Sequence, residues 1–178
     1  MKKIILSALA ALAIPASAAS IDWTLNTAAA ANYMVGKDGN KLNGTAYLLL
    51  TSDVATFDSE SAIQDVALGS ATITDGVNKT KQTATSDKLV APTSYSFSVL
   101  VFDSSSASYF LASAPKSEQA YNLSGDVYTD AKSITFSAAQ LYASATTRGT
   151  QTYTSVPEPA TAALALLGLA LMIKRRKA

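Results

Sequence analysis

Neither histidine nor cysteine occurs anywhere in the 178 residues. Chemistry that needs an imidazole or a thiolate is therefore closed to this chain: Ser-His-Asp triads, cysteine nucleophiles, thiolate zinc sites, H-E-x-x-H sites and disulfides all drop out. Carboxylates remain. Two acids about 5 to 9.5 Å apart can hydrolyse a glycosidic bond, and the candidates are Asp53, Asp58, Glu60 and Asp65, or Asp126 with Asp130. No spacing here fixes such a pair, and Asp equally favours turns and caps, where it accepts local backbone N–H groups. Oxygen ligands would also suit calcium, and Asp38-Gly39-Asn40 superficially suggests it. The full D-x-[DN]-x-[DN]-G loop with its distal Glu is missing, so a hairpin turn is the reading. No catalytic residue, metal ligand or cofactor is assigned.

Aromatic side chains offer a second kind of chemistry, stacking on sugars. All eight tyrosines (Tyr33, Tyr47, Tyr95, Tyr109, Tyr121, Tyr128, Tyr142 and Tyr153) and the single Trp23 lie between the two ends of the chain. Tyr also belongs in strands, where it packs across neighbours, and that is the expected use of most of them. Three N-x-[ST] sequons, at Asn43, Asn78 and Asn122, imply nothing unless the host glycosylates them.

The elements that would hold these residues read as short strands between polar turns, because residues 20–155 carry 20 Ser and 18 Thr, a bias toward strand and loop. The strongest strand is Tyr95 to Asp103, YSFSVLVFD. Its first half alternates and its second half is apolar on both sides, which predicts a central strand covered on both faces at one end. Ser104-Ser105-Ser106 turns the chain, and Ser108 to Ser113 returns as a hairpin partner. Further strands are expected at Ile21–Leu25, Asn32–Val35, Thr45–Thr51, Ala71–Thr74, Val127–Thr129, Ser133–Ser137 and Gln151–Thr154, with Lys37-Asp38-Gly39-Asn40 as a turn. Ser61 to Gly69 predicts one short helix, with Ser61 and Gln64 as a capping box and Gly69 at its end. Ala138 to Ala145 reads as helix or strand, and Asn78 to Lys88 as a solvated loop. Together these predict a mainly β fold: a single antiparallel sandwich or barrel-like domain.

The ends have a different composition. Met1-Lys2-Lys3 is followed by the apolar run Ile4 to Ile14, and Ala16, Ala18 and Ala19 supply small residues for cleavage after Ala18 or Ala19. An apolar run of about 11 residues is too short to span a bilayer, which needs roughly 17 to 25, so residues 1–19 read as a secretory signal helix for signal peptidase. Lys2, Lys3, Lys174, Arg175, Arg176 and Lys177 hold six of the 14 basic residues, so residues 20–155 carry 8 cations against 12 acids, a formal charge of −4. The +1 of the whole chain misleads, and a nucleic-acid partner is not expected.

At the other end, Ala160 to Ile173 is a 14-residue apolar stretch, about 21 Å long as a helix against a bilayer core near 30 Å. Lys174 to Lys177 would stop it on the cytoplasmic side, while Pro157 and Pro159 keep the preceding residues extended outside the membrane. Val156-Pro157-Glu158-Pro159, the short hydrophobic helix containing Gly168, and the basic end Lys174-Arg175-Arg176-Lys177 together resemble the PEP-CTERM sorting signal of exopolysaccharide-producing diderm bacteria. The resemblance covers residues 156–178 and implies recognition by a membrane-embedded exosortase, which cuts near Pro-Glu-Pro and removes the hydrophobic helix, as a GPI signal is removed. It says nothing about the exported domain.

The expectation is thus a signal peptide at 1–19, an exported β domain at 20–155 and a sorting signal at 156–178, yielding a non-enzymatic structural or adhesive protein of the cell surface or extracellular matrix. Its partners would be signal peptidase and exosortase in transit, the inner membrane transiently through residues 160–173, and extracellular polysaccharide afterwards. Two other classes remain open: a secreted carbohydrate-active enzyme using paired carboxylates, and an envelope protein retained by an uncleaved anchor.

Overall fold

A computed structural model describes residues 19–27, 31–89, 93–113, 121–123, 132–143 and 151–156. The fold is mainly β, built on two open sheets that share one hydrophobic core. The larger sheet has five strands in the order β10-β7-β6-β2-β3, formed by Thr154–Ser155 (β10), Ser108–Ser113 (β7), Phe97–Asp103 (β6), Gly44–Leu50 (β2) and Gly69–Ile73 (β3). All of its pairings are antiparallel.

Alternation in β2 and β6 determines what each face buries. Ala46, Leu48 and Leu50 of β2 join Phe97, Val99 and Val101 of β6 in the main core, while Tyr47, Leu49, Leu100 and Phe102 point to the opposite side. The register sets Leu48 against Val99 and Tyr47 against Leu100. Every residue of β6 is buried, because a second sheet covers one face and a helix with its approach loop covers the other. Double coverage is why Val99 to Phe102 is apolar on both sides, with Ser98 and Asp103 as buried polar residues at the two ends. The expected central strand is present, but it begins at Phe97. Tyr95 belongs to a separate three-residue strand, β5 (Thr93–Tyr95), paired with β8 (Tyr121–Leu123).

The second sheet has the order β4-β1-β9, from Gln82–Ser86 (β4), Ala19–Leu25 (β1) and Lys132–Phe136 (β9). Ile21, Trp23 and Leu25 of β1 point into the main core with Ala84 of β4 and with Ile134 and Phe136 of β9. β1 runs antiparallel to β4 but parallel to β9, with Trp23 opposite Ile134. A purely antiparallel sandwich is therefore corrected to a mixed one, and among the described residues neither sheet closes into a barrel. Strand direction leaves no mark on side-chain alternation, since parallel and antiparallel strands share a period of two.

Several local expectations also change. Asn32–Val35 forms no strand; Val35 makes a lone bridge to Lys41 around the Lys37–Asn40 turn, where Gly39 takes φ +83°. The supposed loop Asn78–Lys88 contains β4, whose Thr-rich alternation lets Ala84 point inward and leaves Thr83 and Thr85 outside. Residues 138–142 form turns rather than a helix or strand. The helix, α1, runs Glu60–Val66 and is capped by Ser59, whose Oγ accepts the Ala62 N–H at 3.1 Å. Gln64 is drawn away from capping by Tyr47, to whose hydroxyl its Nε2 donates at 3.0 Å, and Gly69 opens β3 instead of ending the helix. The strand expected at Val127–Thr129 lies outside the described residues, as do the signal helix up to residue 18 and the C-terminal helix at 160–173. Among the described residues no helix is long and apolar enough to cross a membrane.

Candidate functional site

Three of the four candidate acids in the described residues are engaged by partners of their own. Asp53 pairs with Lys88 at 3.2 Å, Asp58 accepts the Ser59 hydroxyl at 3.3 Å, and Glu60 accepts the Tyr47 hydroxyl at 2.7 Å. Asp126 and Asp130 lie outside the described residues. Among the described residues no three His, Cys, Asp or Glu side chains come together as metal ligands. The aromatic residues mostly pack: Trp23 is fully buried, Tyr47 and Tyr109 nearly so, and Tyr95, Tyr142 and Tyr153 lie against the main core. Asn78 is engaged inside the fold, its Nδ2 donating to the Thr72 carbonyl at 2.7 Å.

Where the chemistry of sorting would act, the geometry is specific. Residues 151–156 wrap the edge of the five-stranded sheet at β7. On one side, Tyr153 meets Phe110 edge to face, with centroids 5.3 Å apart. Its hydroxyl donates to the Val35 carbonyl, which also receives Gln151 Nε2 at 2.7 Å. Thr154 and Ser155 then pair with Tyr109 and Ser108, and the Lys37 ammonium donates to Ser155 Oγ at 2.7 Å. On the other side, Val156 is 8% exposed and joins the cluster of Tyr47, Leu49, Phe57, Ile63, Leu100, Phe102 and Tyr109. Its N–H donates to the Ala107 carbonyl at 2.8 Å.

Ala107 can offer that carbonyl because the β6–β7 turn is held from beneath by Asp103, which is fully buried. One carboxylate oxygen accepts the Ser105 N–H at 3.0 Å and hydroxyl at 2.6 Å. The other accepts the Ser106 hydroxyl at 2.7 Å and the Lys37 N–H at 3.1 Å. Burial works to raise the Asp103 pKa, but these hydrogen bonds outweigh it and hold the carboxyl below its ordinary value. Burial, reinforced by the charges of Asp103 and Asp38, pushes the Tyr153 hydroxyl up to about 12. Lys37 thus serves both sides of the junction, its backbone on Asp103 and its side chain on Ser155.

Of the residues expected to be read during export, Val156 and Ala19 are described. Val156 is a core residue of the domain, and Ala19 opens β1 opposite Ser86. Pro157, Glu158, Pro159, Lys174, Arg175, Arg176 and Lys177, with Ala16 and Ala18, lie outside the described residues. What the sequence reading missed is the clamp formed by Val35, Lys37, Asp103, Ala107 and Tyr153. The one signal for it was the aromatic at Tyr153 within an expected strand.

A family model described as the PEP-CTERM protein-sorting motif matches residues 155–177. Searches of curated proteins and of solved structures find no match. The matched segment begins at Ser155, the last paired residue of β10.

Proposed function

We propose that this PEP-CTERM sorting-domain protein delivers its β domain to the outside of the cell as a structural or adhesive component associated with extracellular polysaccharide. The motif itself identifies a chain sorted by an exosortase to the cell surface. Beyond that, the reading takes residues 1–19 as the segment removed by signal peptidase, 20–155 as the delivered domain and 156–178 as the sorting signal. Residues 160–173 then hold the chain at the inner membrane only until it is cut.

The observation that carries this reading is the position of the matched motif. It covers residues 155–177, and every described strand and the helix end at or before Ser155, so a cut near Pro-Glu-Pro falls C-terminal to all of the described elements. A structural role is favoured by a surface rich in hydroxyls, a formal charge of −4 over residues 20–155, and Leu111 as the one large apolar side chain well exposed among the described residues.

Intact-mass analysis of the protein recovered from its host tests the processing. A mass ending between Val156 and Pro159 supports it, and one extending to Ala178 replaces it with a retained envelope protein. The polysaccharide association is tested by pull-down of the processed domain on the host's own matrix glycans, and absence of binding to those glycans and to any envelope component would remove it.

A further inference from the structure

A protease must draw several residues of its substrate out as a free, extended strand before it can cut, and backbone already paired and buried cannot be drawn out without local unfolding. The backbone of Thr154 and Ser155 is paired to β7, although these two residues are themselves exposed, and their neighbours tie the segment to both faces of that sheet edge. Tyr153 lies against Phe110 with its hydroxyl on the Val35 carbonyl, Ser155 is tied to Lys37, and Val156 is sunk beside Tyr109 with its N–H on Ala107. The next residue is Pro157, which has no N–H to continue the ladder.

We propose that the folded domain itself sets the upstream limit of processing: the scissile bond lies C-terminal to Val156, and Val156 stays on the mature chain as the plug that closes the β7 edge. Lys37 and Tyr153 are positioning residues for this event, acting on where the cut falls. The inference relies on the sorting reading for the identity of the protease, and on the geometry alone for the limit.

The test compares the wild-type chain with the double variant Lys37→Ala, Tyr153→Ala, which loosens the clamp without touching the matched residues 155–177. In the host, the wild type should yield carboxyl termini at Val156 or beyond. The variant should add termini between Gln151 and Ser155. Any wild-type terminus before Val156, or an unchanged terminus in the folded variant, overturns the proposal.

A second arm needs no exosortase. Purified full-length protein in detergent is treated with a broad-specificity protease, and the bonds from Gln151 to Val156 are followed by mass. They should resist in the wild type and be cut about tenfold faster in the variant, as expected of a segment whose local opening has become easier. Equal rates overturn the limit. A host product running to Ala178 together with a protected junction would sink the processing reading while leaving the geometric limit standing.

Discussion

The Val156 N–H donates to the carbonyl of Ala107 at 2.8 Å, and Ala107 sits in the left-handed region at φ +42° in the turn that Asp103 holds. The last backbone donor before Pro157 is thereby spent on the β6–β7 turn, and the isopropyl group of Val156 is carried into the cluster on the α1 side of the sheet. Replacing Val156 by Ala removes two carbons from that cluster and should cost about 1.5 kcal/mol. Val156→Ile adds a methylene to the same cluster and should also cost about 1 kcal/mol, as overpacking of a filled site does. Thermal denaturation of the purified protein measures both, and equal stability of wild type and Val156→Ala would show that the plug contributes nothing.

Asp103 brings four donors onto two oxygens, so Asp103→Asn turns an amide N–H₂ toward hydrogens already pointing at it. The expected loss is about 2 kcal/mol, the range for buried hydrogen bonds to a charged group. The pH dependence has a definite sign. Because the folded pKa lies below the ordinary value, the unfolded chain binds the proton first as pH drops. The contribution is complete above about pH 4 and is lost as pH falls through the lower, folded value. Denaturant melts between pH 6 and 2 should slope less in the Asn variant than in the wild type.

Tyr153 titrates in the opposite sense, since burial raises its hydroxyl to about 12. An unfolded tyrosine ionises near pH 10, so the unfolded chain releases its proton first, and the stability this group contributes is lost as pH rises from about 10 through 12. Tyr153→Phe should be less stable than the wild type at neutral pH, with the gap narrowing in that alkaline window. Absorbance titration at 295 nm should lose a late-ionising phenol in the variant; a wild-type titration with no component near 12 would refute the assignment.

Ser59, rather than Ser61, caps α1. Ser59→Ala should cost about 1 kcal/mol, as loss of an N-cap does, while Ser61→Ala should change stability by less than about 0.5 kcal/mol. Denaturation midpoints of the two variants decide this, and the reverse ranking would restore the capping box.

Much of the fold was legible because burial writes itself into alternation. Gly44–Leu50, Phe97–Asp103 and Ser108–Ser113 stand out as apolar strands with a serine turn between the last two, and the Lys37–Asn40 turn follows from glycine beside aspartate. The strand at Gln82–Ser86 did not show, since its inward residue is only Ala84 and its threonines read equally well as loop. The helix start was misplaced by two residues because a capping box is a local pattern, and Tyr47, thirteen residues or more away in the chain, claims both Glu60 and Gln64.

The sequence by itself determined the sorting motif at residues 155–177: Pro-Glu-Pro, a short greasy stretch and four cations are contiguous, and contiguous signals need no fold to be read. It also determined the absence of imidazole and thiol chemistry, which is a matter of composition. Only the tertiary structure decided that β1 runs parallel to β9, that Asp103 is a turn anchor instead of a free acid, and that Val156 belongs to the core. Each of those depends on groups separated by tens of residues along the chain, and nothing in local periodicity records which distant backbone a strand will meet.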